Sequence, residues 1–179
     1  MRTTIIAAGV AFAALAASAS AALAASSMKT LVRLAPMTIP AGTMEKTIPV
    51  NIRGVQTQLL TAAKSRQYDV TLELDVEAER SPQVFYEVYL SAPKGRRYHV
   101  GNVTLFGAGI RSEARGEFHP AHVQLFISDA VSLALRKSAA HALEITFVAK
   151  GAEGGAAAKP VAALVIHNAE IVAGPRQRS

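Results

Sequence analysis

A chain of 179 residues, half of them apolar and 18% charged, can bury one proper core but has little left for a second. It contains no cysteine, which excludes a disulfide framework, a thiolate zinc site and a cysteine nucleophile. Its 19 basic residues outnumber 13 acidic ones, but they are scattered, with Arg96-Arg97 and Arg111/Arg115 as local concentrations and no tryptophan, so no nucleic acid is expected as a partner.

Met1-Arg2 opens the chain with a positive charge, and residues 5–17 are an unbroken apolar or small run. The run is shorter than the roughly 20 residues that cross a bilayer. Ala22-Leu23-Ala24 then offers a small-x-small cleavage site, so residues 1–24 read as a signal peptide for the general secretory route. The mature protein is expected to start near Ala25, to have no membrane span and to be periplasmic or extracellular.

Residues 25–47 read as an N-terminal extension or edge strand, with a weak strand at 30–34. A second weak strand is expected at 48–59, and 48–172 as one sandwich domain. The clearest strand is 68–76, where Val70, Leu72, Leu74 and Val76 alternate with Thr71, Glu73 and Asp75. Residues 84–90 are β-branched or aromatic on both parities, which predicts a central strand covered on most of both faces. Further strands are expected at 100–106, 123–127, 143–148 and 161–166. Ser128-Asp129 stands where a helix N-cap belongs, ahead of a short helix over 130–138.

Turn residues separate these runs: Arg80-Ser81-Pro82, Pro93-Lys94-Gly95, Gly107-Ala108-Gly109 and a loose loop over 151–159. Residues 173–179 read as a flexible tail. About eight strands at this spacing, without alternating long helices, predict an all-β, jelly-roll-like antiparallel β-sandwich with one short helix plugging an end.

The order of the pieces resembles a family. Gln83-Val84-Phe85-Tyr86-Glu87-Val88-Tyr89-Leu90 is similar to the Lys-Phe-Asp-Val type strand of the C-terminal domain of polyphenol oxidases and related tyrosinases. Tyr98-His99-Val100-Gly101-Asn102-Val103-Thr104-Leu105-Phe106 resembles the glycine-containing Ala-Gly-Ser-Phe type segment that follows it there. Phe126-Ile127-Ser128-Asp129-Ala130-Val131 is similar to that domain's Ile-Thr-Asp-Leu-Leu type helix entry, and 143–149 and 161–171 resemble its closing strands. Ile48-Pro49-Val50-Asn51 looks like its opening segment.

The Lys and Asp of the marker strand are here Gln83 and Glu87, and the chain is expected to lack the copper-binding helical domain that precedes this one in the family. The resemblance implies a sandwich that shields the entrance of a dinuclear copper site. Standing alone, it implies action on a separate protein partner, a tyrosinase-type copper enzyme. That role requires an exposed aromatic or apolar patch, expected from Phe85, Tyr89 and Tyr98.

Five histidines occur, and His119-Pro120-Ala121-His122 is their only close pair. With Met28, Met37 and Met44 it makes a copper-binding or copper-delivering protein the alternative, with His119 and His122 as ligands. On a strand, residues three apart face opposite ways, so both reach one ion only if Pro120 bends the chain. No Gly-x-Ser-x-Gly elbow occurs, and Glu73 with Asp75, or Glu77 with Glu79, reads as a solvated strand face rather than a catalytic pair. The chain is therefore read as a non-enzyme, and an enzyme subunit with a cryptic site is the third, unsupported, reading.

Overall fold

The computed structural model describes residues 28–79, 83–105, 120–136, 141–151 and 159–176. His119, Arg111, Arg115, the signal segment and most of the 151–159 loop lie outside the described residues.

Among the described residues nine strands form two antiparallel sheets. The first sheet contains β1 (Lys29–Leu34), β2 (Met37–Ile39), β4 (Tyr68–Ala78), β7 (Ala121–Phe126) and β9 (Leu164–Pro175), ordered β1-β9-β4-β7 with β2 also on β9. The second contains β3 (Glu45–Asn51), β5 (Val84–Ser91), β6 (Tyr98–Val103) and β8 (Ala142–Gly151), ordered β3-β8-β5-β6. The alternation in β4 places Val70, Leu72, Leu74 and Val76 in the core, against Val88, Leu90, Leu143, Ile145 and Phe147 from the other sheet. The fold is the all-β sandwich that the period-two pattern calls for.

Several elements differ from the sequence expectation. The weak strand at 48–59 ends at Asn51; Gly54, at φ +88°, turns the chain, and Gln56–Lys64 is a helix, α1, burying Leu59 and Ala63 one turn apart. Hence the described residues form two helices, not one. The second, α2 (Ser128–Leu135), packs on α1, and the pair closes one end of the sandwich. Its N-cap is Ile127, without a side-chain cap; Ser128 instead accepts the backbone N–H of Val70.

β9 begins at Leu164 and runs to Pro175, so 173–175, expected as tail, are strand paired with β4. β5 is an inner strand, as expected, but its even-numbered residues fill the core while Phe85, Glu87 and Tyr89 are half-buried on the opposite face, where Ser91 alone of the strand is buried.

Candidate binding face

Phe85 and Tyr89 do share one face, the outside of the four-stranded sheet. There Tyr89 donates its hydroxyl to Glu87 at 2.7 Å, Lys150 lies 3.5 Å from the same carboxylate, and the Tyr89 ring meets His99 edge-on at 5.3 Å. The Tyr89 hydrogen bond, then Lys150, hold the Glu87 carboxyl below the usual range, and the same bond pushes the Tyr89 phenol up. Thr47 with Thr146 at 3.0 Å, His99 with Asn102 at 3.1 Å and Arg97 with Glu45 at 2.6 Å continue the network. The donors and acceptors named here pair with one another across the face.

Tyr98 is not part of this face. The bulge opposite Val88/Tyr89 sets Tyr98 beside Leu90, on the inward parity, where it packs on the core margin with the Arg96 guanidinium 5.8 Å over its ring. A one-residue slip moves a side chain to the other face of a sheet, so the three aromatics do not form one patch.

His122 stands on the outer face of β7, its Nδ1 2.9 Å from Asp75, which is its register partner on β4. The remaining described histidines are dispersed: His99 on Asn102, His141 on Gln56 and His167 on Glu77. Met37 packs against the core. Among the described residues no group of three His, Asp or Glu side chains is placed to hold a metal ion. Glu73, Asp75 and Glu77 share the outer face of β4 as their spacing requires, held by Gln124, His122 and His167.

Among the described residues, three of the five exposed large apolar side chains lie elsewhere, at the helix-capped end of the five-stranded sheet, the other two being Leu133 on α2 and Val161. Phe126, 66% exposed, ends β7; Met28, 54% exposed, precedes β1; and Tyr68 opens β4. Gly174 makes room for this arrangement, since a Cβ there would stand 3.0 Å from Met28 Cγ. On one side of Met28 an open groove of about 690 Å³ runs between β1 and α1, lined by Leu31, Thr61, Ala62 and Tyr68. On the other side a slot of about 210 Å³ lies between Met28 and Phe126, with the buried Thr71 and Gly174 beneath and Asp69, Gln124 and the exposed Pro175 also lining it. Thr71 is 3% exposed and its hydroxyl has no hydrogen-bond partner among the described residues.

Met28, Tyr68 and Phe126 are not the residues that sequence reasoning marks as an interface. One signal was available: Phe126 shares its parity with His122 and Gln124, a large apolar residue on an otherwise polar row. Met28 and Tyr68 carry no such mark, because only the pairing of β1 and β4 with β9 brings them to the same end.

No known family matches the chain, and no curated protein matches it. The resemblance to the polyphenol oxidase C-terminal domain therefore rests on the short motifs alone.

Proposed function

We propose that this is a non-catalytic, exported binding protein that docks on a separate protein through the helix-capped end of its five-stranded sheet. The observation that carries this reading is the cluster of Met28, Tyr68 and Phe126 around two adjoining grooves. Large apolar side chains left in water together, with polar residues at the rim, are characteristic of surfaces that a partner covers. The motifs in β5, β6 and α2 supply the partner class: a tyrosinase-type copper oxidase, for which the chain acts as shield or folding accessory.

The test compares the mature chain with its Phe126→Asp variant as baits in the exported fraction. A copper oxidase retained by the first and lost with the second supports the reading. Retention of no copper oxidase, or equal retention by both, overturns it. Stoichiometric copper on the purified chain alone would overturn it in favour of metal delivery by His119 and His122.

A further inference from the structure

The chain as a whole is basic, yet the outer face of the five-stranded sheet has the opposite sign. Asp69, Glu73, Asp75 and Glu77 follow one another along β4, and Glu170 stands beside Glu73 on β9. Most of these have a basic neighbour: Asp69 binds Arg176, Glu170 binds Arg33, Asp75 meets His122 and Glu77 meets His167. Glu73 differs. Among the described residues its side-chain partner is the neutral amide of Gln124, at 3.2 Å.

Gln124, which lines the slot between Met28 and Phe126, donates its side-chain amide to this carboxylate, and Thr71 on the slot's floor precedes Glu73 by two residues on the same face of β4. Two residues along a strand span about 6.5 Å. That is the reach of a lysine or arginine stem. Such a stem buries its methylenes between apolar walls while its head stays polar, and a cation over the Phe126 ring gains a further attraction. Thr71 adds a buried hydroxyl that lacks a partner in the free protein.

We infer that the slot between Met28 and Phe126 receives a long basic side chain of the partner protein, whose charged head reaches Glu73. This deepens the docking proposal and rests on it for the source of the side chain. A purely apolar residue would fill the walls and leave the Glu73 charge with only the neutral amide of Gln124. An acidic residue would meet a face of its own sign.

The inference is tested by titrating the isotope-labelled full chain with three capped tripeptides, Gly-Arg-Gly, Gly-norleucine-Gly and Gly-Glu-Gly, and following backbone amide shifts. The arginine peptide is expected to shift Thr71, Glu73 and Phe126 saturably at millimolar concentration, at least fivefold more tightly than the norleucine peptide. Glu73→Gln should remove most of that advantage and its salt dependence, while Thr71→Val weakens binding without removing the salt dependence. Equal binding of the arginine and norleucine peptides, or no saturable shift at these residues, would overturn it. If the oxidase is still captured by Glu73→Gln but lost with Phe126→Asp, docking stands and the basic side chain is wrong.

Discussion

The hydroxyl of Ser128 accepts the backbone N–H of Val70 at 2.8 Å, tying the first turn of α2 to the central strand β4. The neighbouring backbone bond from Ile127 to Val70 completes this junction. Ser128→Ala should cost about 1–3 kcal/mol, the usual penalty for a buried donor left without its acceptor. The urea midpoint measures it. Ser128→Asp separates the two roles: a helix cap would tolerate the carboxylate, whereas a buried strand-to-helix tie would not.

Gly101 sits in β6 at φ +147°, beside the bulge, and a Cβ there would stand 2.8 Å from Leu125 Cδ2. Gly101→Ala therefore meets both a backbone conformation that side chains avoid and a packed neighbour from β7. A loss of about 1–3 kcal/mol is expected. A parallel change at Gly95, where φ is not positive, should be milder despite its close approach to Ala92 O. Thermal unfolding of the two variants checks the order.

Two buried hydroxyls, Thr71 Oγ1 and Tyr86 Oη, lack hydrogen-bond partners among the described residues. Removing each without changing shape, by Thr71→Val and Tyr86→Phe, should raise stability by about 1 kcal/mol at neutral pH. For Tyr86 the alkaline limb is a second readout. Burial pushes its phenol up to about 12 from 10.0, so its contribution is intact below pH 10 and is lost as pH rises towards 12. Tyr86→Phe should remove that part of the alkaline decline.

Hydrogen bonds from Thr30 and Arg33 hold the Glu170 carboxyl below its usual value, and Arg97 does the same for Glu45. A lowered carboxylate stabilises the fold above its ordinary pKa of 4.5, and the contribution disappears as pH falls through the folded value. Stability should hold at neutral pH and fall on acidification below about pH 5. Glu170→Gln should flatten that decline more than Glu45→Gln. The Glu170 side chain is only 12% exposed, whereas Glu45 and Arg97 are each 45% exposed and screened by solvent.

The strands that were legible in the sequence are those whose partners do not matter for reading them. The alternation in β4, the apolar run of β5 and the turn residues around them report local geometry directly. The 48–59 span misled because one apolar stretch held both the end of β3 and the buried face of α1, and only the turn at Gly54 divides them. β2 was too short to announce itself, being three residues recruited by pairing with β9. Among the candidate residues, Phe85 and Tyr89 were placed on a common face by parity alone. Tyr98 was lost from that face to a bulge that shifts register, and no period reveals a bulge in advance.

The sequence by itself determined a two-layer β fold, since alternation at period two can bury its apolar half only against another such face. It also determined the acidic row on β4, because every second residue must share a side. The tertiary structure decided which strands are neighbours and which residues, far apart in the chain, meet at one end. Met28, Phe126 and Pro175 flank the same slot because β1 begins and β7 and β9 end there. That convergence depends on long-range hydrogen-bond register, which is set by the packing of the whole sandwich and not by any local stretch.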